Sequence, residues 1–317
     1  MNNNEVIYHF LRIEKTMDLS ALRIFKAVAE EGSVTRAAAR LNRVQSNVSV
    51  RLAQLEQTLG VALFHRSGRR LLITEAGTRL LGYAGRLLQL ADEAEAAVRG
   101  RHPPSGTLKI GAMETTAAAR LPLFLAAFHR RHPEVDLVLD TGPSDYLVEE
   151  VLQHRLDIAL VAAPVLRPEL EQVRVFDEEL VLLTDLGHGP VATPHDVAKK
   201  SLLVFRSGCS YRRRLEAWFS EAQVGVARIA EFGTFEAIIG CVAAGMGVAL
   251  MPKEMLRQRA LATSIQSHTL PGALAQVDTM LVWRRDVALH PARQEFADCF
   301  RRGAAQAQQT GAPPWDA

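Results

Sequence analysis

Cysteine is scarce in this chain of 317 residues. Its three cysteines, Cys209, Cys241 and Cys299, lie far apart, are odd in number and form no Cys-x-x-Cys pair. The sequence therefore indicates neither a disulfide framework nor a zinc site of the usual spacing. So few cysteines fit a reducing cytosol, where structural disulfides are rare.

Long hydrophobic runs are also missing. The longest, AIIGCVAAGMGVALMP, is interrupted by glycines and is short for a membrane span, and the chain opens without a secretory signal pattern. We expect a cytoplasmic protein that does not enter a membrane. A net charge of +2 points to no particular partner, whereas 48% hydrophobic residues over this length predict more than one folded domain.

Charge is nevertheless uneven along the chain. Residues 1–16 precede a second methionine, Met17, and receive no assigned role. Residues 17–75 contain five acidic and nine basic side chains, the latter being Arg23, Lys26, Arg36, Arg40, Arg43, Arg51, Arg66, Arg69 and Arg70. The remainder of the chain is close to neutral.

The basic segment predicts three helices. Leu19, Leu22, Phe25 and Ala29 share one helical face, after which EEGS supplies a glycine stop and a serine cap. A second helix is predicted from Ser33 to Leu41. After the NRV break comes a third, in which Val48, Leu52, Leu55 and Leu59 repeat at helical spacing until Gly60.

The outer face of the third helix has the chemistry of a DNA-reading surface. Gln45, Ser46 and Ser49 are short polar residues placed near its start, with Asn47 and Arg51 beside them. Such a helix fits the major groove and can form hydrogen bonds with base edges, while cations lie over the phosphates. The alternative is a three-helix packing unit with a solvated face.

The next segments favour the DNA-binding interpretation. ALFHRSGRRLLIT predicts two short strands around a Ser67-Gly68 turn, with Arg66, Arg69 and Arg70 at the tip of this basic wing. A long helix then begins near Thr74 and Glu75. Its apolar seam, which is either core or a dimer interface, consists of Leu80, Ala84, Leu87, Ala91, Ala94 and Val98. Because paired groove-binding modules gain affinity, we expect dimerisation.

Beyond the Gly- and Pro-containing GRHPPSG, apolar strands alternate with amphipathic helices, which predicts an α/β domain with mostly parallel sheets. The expected strands are LKIGAM, VDLVLDTG, DIALVAA, ELVLLTD, SLLVF, RIAEFG and VALMP. The expected helices span 116–131, 145–154, 211–222, 235–244 and 253–259. The tail, GAAQAQQTGAPPWDA, has the composition of a disordered segment.

These patterns together resemble the LysR-type transcriptional regulators. The resemblance rests on LRIFKAVAEEGSVTRAAARL, on QSNVSVRLAQLEQTLGVALFHRSGRRLLITEAG and on FEAIIGCVAAGMGVALMP. It implies a winged helix-turn-helix at residues 17–75, a linker helix and hinge at 76–103 that dimerises, and a two-lobed α/β effector domain of periplasmic-binding-protein type at 104–302. Residues 1–16 and 303–317 would be an extension and a disordered tail.

The resemblance also implies partners and contacts. The partners would be double-stranded operator or promoter DNA, a small-molecule effector, RNA polymerase and further copies of the chain, as a homodimer or homotetramer. No metal, cofactor or catalytic residue is expected. The DNA contacts would come from Ser33, Thr35, Arg36, Gln45, Ser46, Asn47, Ser49, Arg51, Arg66, Arg69 and Arg70. The sequence departs from the family where proline commonly follows the glutamine and arginine the serine, since Ser46 and Val50 stand there.

By the same resemblance, four junctions between strands and helices line an effector cleft. They are GAMETTAA, TGPSDY, FRSGCSYR and FGTFEA, and the residues expected to contact the effector are Thr115, Thr116, Ser144, Ser207, Cys209 and Thr234. Each hydroxyl is equally well explained as a helix cap. Glu114 would repel a carboxylate or pair with an amine, whereas Arg206 and Arg212–Arg214 would favour an anion. For Arg212–Arg214 the favoured alternative is a solvated helix face. The charge of the effector therefore stays open.

Three alternatives remain at this point. Cys209 lies where peroxide-sensing members of the family have a reactive cysteine, and a helix start with nearby arginines would lower its pKa. No second cysteine follows in the next helix to resolve an oxidised thiol, and GAMETTAAARLP and FRSGCSYRRRLE are more similar to a subgroup of the family that includes sarcosine-oxidase regulators. An enzyme is disfavoured because no Walker loop, GxSxG, HExxH or dinucleotide motif is present. A sequence-indifferent nucleoid protein would not need the cleft.

Overall fold

The computed structural model describes residues 17–67, 70–99, 104–256, 264–286 and 291–310. The chain divides into two compact units after residue 102. The predicted N-terminal extension, residues 1–16, lies outside the described residues.

Three helices open the first unit: α1 (Leu19–Glu31), α2 (Val34–Arg40) and α3 (Gln45–Leu59). The Asp18 carboxylate caps α1 by accepting the Ala21 N–H at 2.6 Å, and Gly32 ends the helix with φ of 59°. Ser33 then caps α2. A four-residue turn containing Asn42 at φ 50° leads into α3, which ends at Gly60. Local capping signals therefore set these helix boundaries.

The three helices share one apolar core. Val48, Leu52 and Leu55 of α3 are buried against the inward face of α1, as their spacing predicts. Ala37 and Ala38 are fully or almost fully buried, so their small side chains let α2 approach its neighbours closely. The arrangement is a helix-turn-helix with one face of α3 left to solvent.

A hairpin and a long helix complete this unit. Strands β1 (Phe64–Ser67) and β2 (Arg70–Ile73) pair antiparallel, which confirms the predicted wing. Helix α4 (Glu75–Arg99) follows, capped by the Thr74 hydroxyl that accepts the Gly77 N–H at 3.0 Å. Ala84 and Leu88 of α4 pack into the core of the first unit.

The predicted seam of α4 is divided between two faces of the helix. Ala84 is buried within the unit, whereas Leu87 and Ala94 are exposed. An apolar stripe on the solvent side of α4 is formed by Tyr83, Leu87, Leu90 and Ala94, spaced by four, three and four residues. The side chain of Val98, the last residue of the predicted seam, is not among those that the structure describes. The seam predicted from the sequence therefore mixes core residues with surface residues.

The second unit is an α/β domain of two lobes. Lobe I contains β3 (Gly106–Ala112), β4 (Val135–Thr141), β5 (Ile158–Ala162) and β11 (Gln276–Arg284). Its helices are α5 (Glu114–Ala119), α6 (Leu121–Arg131), α7 (Ser144–Leu152) and α10 (Pro291–Thr310). Strand β3 runs parallel to β4 and β5, and β11 lies antiparallel to β5.

Lobe II is built from the next part of the chain. Its strands are β7 (Ser201–Phe205), β8 (Arg228–Phe232), β9 (Gly247–Pro252) and β10 (Ile265–Thr269), and its helices are α8 (Ser210–Glu221) and α9 (Phe235–Ala243). Strand β7 runs parallel to both β8 and β9. Short 3₁₀ helices at Pro194–Val197, Lys253–Leu256 and Gly272–Leu274 connect these elements.

One long strand, β6 (Leu170–Asp185), belongs to both lobes. Its first part pairs with β11 in lobe I, and its last residues pair with β9 and β10 in lobe II. The chain returns to lobe I through residues 270–275, between β10 and β11. These two crossings, by β6 and by residues 270–275, form the connection about which the lobes can move.

The structure corrects several predicted elements of this domain. The sheet is mixed, because β6, β10 and β11 pair antiparallel. The predicted helix 116–131 is two helices, divided at Arg120 by the proline in the first turn of α6. The segment 253–259 begins as a 3₁₀ helix to Leu256, and residues 257–259 lie outside the described residues.

The predicted disordered tail is partly wrong. Helix α10 continues to Thr310, so residues 303–310 are helical, and residues 311–317 lie outside the described residues. Phe296 and Phe300 anchor this helix in the core of lobe I, where the Phe300 ring stacks on that of Phe124 with centroids 4.3 Å apart. The aromatic contacts hold a helix whose later residues are rich in alanine and glutamine.

Candidate functional site

The outward face of α3 carries the polar residues predicted to read DNA. Gln45, Ser46, Asn47 and Ser49 are exposed, and Val48 between them is 0% exposed. The buried valine fixes the rotation of the helix and so keeps these four side chains on the surface. The solvent-facing side of α3 also includes Val50, which is 55% exposed.

Basic groups border this face, and each has an acidic neighbour. Arg51 lies 3.5 Å from the Asp18 carboxylate, and Arg36 lies 3.4 Å from that of Glu31 and also donates to the Glu31 carbonyl. All these arginine side chains are about half exposed or more, so such pairs contribute little to stability. Phosphate groups can therefore compete for the same guanidinium groups.

The other predicted DNA contacts have more structural roles. The Ser33 hydroxyl caps α2 by accepting the Arg36 N–H at 3.4 Å, and Thr35 is exposed on the first turn of that helix. In the wing, the backbone of Arg66 and Arg70 belongs to the paired strands. Arg69 and the turn residue Gly68 lie outside the described residues.

A cavity of about 610 Å³ lies between the two lobes of the second unit. Its lobe I wall comes from the start of α5 and from the end of β4 through α7. Its lobe II wall comes from the end of β7 through α8 and from the end of β8. The lining residues are Met113, Glu114, Thr115, Thr141, Gly142, Pro143, Ser144, Tyr146, Phe205, Arg206, Ser207, Cys209, Tyr211, Phe232 and Gly233. Parallel strands thus end at this cavity, where open α/β sheets commonly bind ligands.

Four of the six predicted effector contacts line this cavity, namely Thr115, Ser144, Ser207 and Cys209. Thr116 and Thr234 are not among its lining residues. Thr116 is 2% exposed, one position along α5 from Thr115 and hence on another side of the helix. The Thr234 hydroxyl caps α9 by accepting the Ala237 N–H at 3.3 Å. The capping alternative therefore describes Thr234.

Several lining residues were not in the predicted set. Tyr146 and Tyr211 contribute phenol groups, and Phe205 and Phe232 contribute apolar surface. Tyr146 donates to the Asp140 carboxylate at 2.9 Å. The sequence signal that could have found them is their position, since all four lie within six residues of a strand end.

Glu114 connects the lobes across the cavity. Its Oε1 accepts the Phe235 N–H at 3.1 Å, so a carboxylate from lobe I lies at the first turn of α9 in lobe II. Burial raises the pKa of Glu114, the Phe235 N–H lowers it, and the nearby Glu236 raises it. The start of α9 is therefore already occupied by an acidic group of the protein.

Two further contacts join the lobes near the cavity. The hydroxyls of Thr115 and Tyr211 are 3.3 Å apart, and burial raises the pKa of Tyr211, which stays a neutral phenol. Arg213 of α8 donates to Asp145 of α7 at 2.6 Å. The next arginine back, Arg212, is paired with Glu216 and Glu231, each at 2.8 Å. Arg206 is the arginine of this region that lines the cavity.

The surroundings of Cys209 disfavour the alternative in which its thiol is activated. The residue is the N-cap of α8 and is buried. Burial raises the pKa of its thiol and outweighs the opposing effects of the Arg212 and Tyr211 N–H groups and of the Arg213 charge. A thiol that stays protonated is a poor nucleophile, which disfavours the peroxide-sensing alternative.

Some other kinds of site are missing from the described part of the chain. There, no group of three or more histidine, cysteine, aspartate or glutamate residues is arranged to hold a metal ion. Helices with the length and apolarity needed to cross a bilayer are likewise lacking among the described residues.

Comparison with known proteins assigns both units. The family model described as "Bacterial regulatory helix-turn-helix protein, lysR family" matches residues 19–78, and "LysR substrate binding domain" matches residues 101–305. The chain is 40% identical to the HTH-type transcriptional regulator GltR of Bacillus subtilis, over 90% of this chain and 96% of GltR. It is 37% identical to the HTH-type transcriptional regulator SoxR of Arthrobacter, over 92% of this chain and 100% of SoxR.

A solved structure gives the same assignment. Full-length CbnR complexed with its target DNA is 26% identical, with a TM-score of 0.64 over 90% of this chain and 99% of CbnR. These relatives are transcriptional regulators and not enzymes. The family predicted from the sequence is confirmed: the chain belongs to the LysR-type transcriptional regulators, with an N-terminal helix-turn-helix that binds DNA and a C-terminal domain that binds an effector.

Proposed function

We propose that α3 reads an interrupted palindrome in the major groove of operator DNA. The observation that carries this proposal is the exposed row of Gln45, Ser46, Asn47 and Ser49 around the buried Val48. Amide and hydroxyl groups at the start of a helix can form hydrogen bonds with base edges. The exposed Val50 offers an apolar contact to a thymine methyl group.

Phosphate contacts supply the remaining DNA affinity. Arg36 and Arg51 exchange their exposed carboxylate partners for phosphates, and Ser33 and Thr35 contact the backbone from the start of α2. Arg66, Arg69 and Arg70 of the wing add phosphate or minor-groove contacts. These groups set affinity and orientation and carry little sequence information.

Oligomerisation places two or more copies of α3 on one operator. The apolar stripe of α4, formed by Tyr83, Leu87, Leu90 and Ala94, has the spacing of a helix-pairing seam and faces solvent in the single chain. Pairing of this stripe with that of a second chain gives a homodimer, which can assemble further into a tetramer. Such a regulator acts on chromosomal DNA in the cytoplasm and contacts RNA polymerase there.

Control of DNA binding comes from a small molecule in the cavity between the lobes. Thr115, Ser144, Ser207 and Cys209 lie on opposite walls, so one ligand can touch both lobes. A ligand that binds one lobe arrangement better shifts the population toward it. The crossings by β6 and residues 270–275 let the angle between the lobes change while each sheet is kept.

Footprinting on DNA upstream of the protein's own gene and its neighbour tests this function. At fixed salt we expect a protected site of two related half-sites, with a length or hypersensitivity that changes when the effector is added. Protection no better than on random DNA would contradict the proposed recognition by α3.

A matched pair of variants separates phosphate contacts from general charge effects. Arg51→Gln should weaken binding to every sequence and lower the slope of log K against log salt by about 0.9 per lost phosphate contact. Arg23, which pairs with Asp92 at 2.7 Å, supplies the control Arg23→Gln. Equal slopes for the two variants would show that Arg51 does not contact a phosphate of the DNA.

A further inference from the structure

Two opposite charges lie beside one short stretch of lobe II, Gly233–Phe235. The Glu114 carboxylate accepts the Phe235 N–H at 3.1 Å. The Arg206 guanidinium lies beside Gly233, since its Nη2 is 3.7 Å from the point that a Cβ on Gly233 would occupy. Both residues line the cavity between the lobes.

Among the described residues, no ion pair or hydrogen bond joins these two charges. The Glu114 Oε1 instead accepts the Phe235 N–H. Within the described residues Arg206 is exposed and has no carboxylate partner, and the second oxygen of Glu114, Oε2, has no hydrogen-bond donor. A negative and a positive group thus both face the cavity with binding capacity to spare.

The arrangement discriminates between classes of ligand. A simple carboxylate would gain from Arg206 but would be repelled by Glu114, which already occupies the start of α9. A simple amine would gain from Glu114 but would be repelled by Arg206. A ligand with both charges on neighbouring atoms satisfies both groups, and charge-assisted hydrogen bonds are among the strong ones in proteins.

We propose that the effector is a zwitterionic amino acid, whose ammonium group donates to Glu114 Oε2 and whose carboxylate accepts from Arg206. This inference rests on the proposed function, because it names the ligand of the same cavity. The volume of about 610 Å³ leaves room for a side chain, and Met113, Phe205 and Phe232 provide apolar surface for it. Glu114 is a contact from lobe I and Arg206 one from lobe II, so the ligand's head group joins the two lobes.

Calorimetry with the purified full-length protein tests the ligand class. The probes are the twenty protein amino acids. Each amino acid that binds is then compared with two analogues: its amide, which lacks the carboxylate, and the corresponding acid without the amino group. We expect one or a few amino acids to bind and both analogues to bind about ten- to a hundredfold more weakly. Equal binding of either analogue would overturn the proposal.

Variants assign the two contacts. Glu114→Gln keeps an acceptor for the Phe235 N–H but removes the charge. It should weaken binding of the amino acid about tenfold or more and improve binding of the acid without the amino group. Arg206→Gln should weaken binding of the amino acid and improve binding of its amide. The control is Glu236→Gln, an exposed carboxylate beside the start of α9 that does not line the cavity, and it should change affinity by less than about twofold.

The same proteins distinguish failure of this inference from failure of the proposed function. If footprints respond to a compound of another class, such as a dicarboxylate, and Glu114→Gln leaves that response intact, the proposal of an amino-acid effector is wrong, whereas the proposed function as an effector-controlled regulator holds. If no operator is protected in any condition, the proposed function itself fails. If none of the twenty amino acids binds at millimolar concentration, the proposal is overturned whatever the footprint shows.

Discussion

Two valines on α3, two positions apart, should give opposite results when each is changed to alanine. Val48 is 0% exposed in the core of the helix-turn-helix, and Val50 is 55% exposed on the outer face. The substitutions Val48→Ala and Val50→Ala remove the same two methyl groups and preserve helix-forming backbone. The pair therefore separates a packing role from a DNA-contacting role on one helix.

The expected magnitudes follow from burial. Two buried methyl groups at about 0.8 kcal/mol each, with a further cost for the space left behind, give a loss of about 2 to 3 kcal/mol for Val48→Ala. For a domain of this size that lowers the unfolding temperature by roughly 10 °C. Val50→Ala should change the free energy of unfolding by less than about 0.5 kcal/mol.

DNA binding should show the reverse pattern. Val48→Ala, measured at a temperature where the variant is folded, should retain the operator preference of the wild type. Val50→Ala should lose part of that preference, because an apolar contact to a thymine methyl group is removed. Circular dichroism on heating and fluorescence anisotropy with operator and random duplexes give the two measurements. A Val50→Ala variant as unstable as Val48→Ala, or one with full operator preference, would refute this assignment of the two faces.

Three more predictions address the rest of the chain. Gly77→Ala should destabilise the first unit by about 1 to 3 kcal/mol, since the added Cβ would lie 2.3 Å from the Leu63 carbonyl oxygen. At Gly82 an added Cβ would have no such neighbour within 4 Å, so Gly82→Ala should stabilise α4 by about 0.5 to 1 kcal/mol. Thermal unfolding compares the two, and equal shifts would contradict the packing at Gly77. Leu90→Glu should lower the mass measured by light scattering, and an unchanged mass would exclude the α4 stripe as the interface. His268 accepts the Val191 N–H at 3.3 Å, and burial holds its pKa below the ordinary 6.5. The unfolded chain therefore takes up the proton first, and the stability of the fold falls as the pH drops through 6.5. The His268→Gln variant should lose less stability than the wild type between about pH 7 and 5, and parallel curves of stability against pH would contradict this role of His268.

Local signals predicted the first unit well. The boundaries of α1–α3 come from caps and glycine stops that act within a few residues, such as Asp18, Ser33 and Gly60. The buried faces follow from helical periodicity. The two faces of α4 could not be separated in this way, because a seam of leucines and alanines looks the same whether it meets its own domain or a second chain.

Distant pairing limited the prediction of the second unit. Strands β10 and β11 pair with β6, which is far away in the chain, and antiparallel pairings of this kind leave no local pattern beyond short apolar runs. The tail was assigned from its polar composition, whereas alanine favours helix and Phe296 and Phe300 anchor the segment.

The position of the cavity could be predicted from the residues at strand ends, but not all of its lining residues could. Hydroxyl residues at these ends indicated the correct region, and four of six lie on its walls. The positions that did not, Thr116 and Thr234, differ from lining residues by one step along the chain. The direction of a side chain at a helix start depends on where the first turn begins, which the sequence did not resolve. Tyr146 and Tyr211 reach the cavity by length, which a search for small hydroxyl residues passes over.

Because β6 enters lobe II and residues 270–275 leave it, lobe II is an insertion within lobe I. Its strands and helices come from one continuous stretch, whereas lobe I combines residues 104–179 with β11 and α10 from the other end of the domain. During synthesis the helix-turn-helix and then lobe II are complete while lobe I still lacks its last strand and the Phe296 and Phe300 anchors. A chain that ends before Pro291 can therefore retain an intact DNA-binding unit and a complete lobe II, yet lack a finished lobe I that could close with it around a ligand.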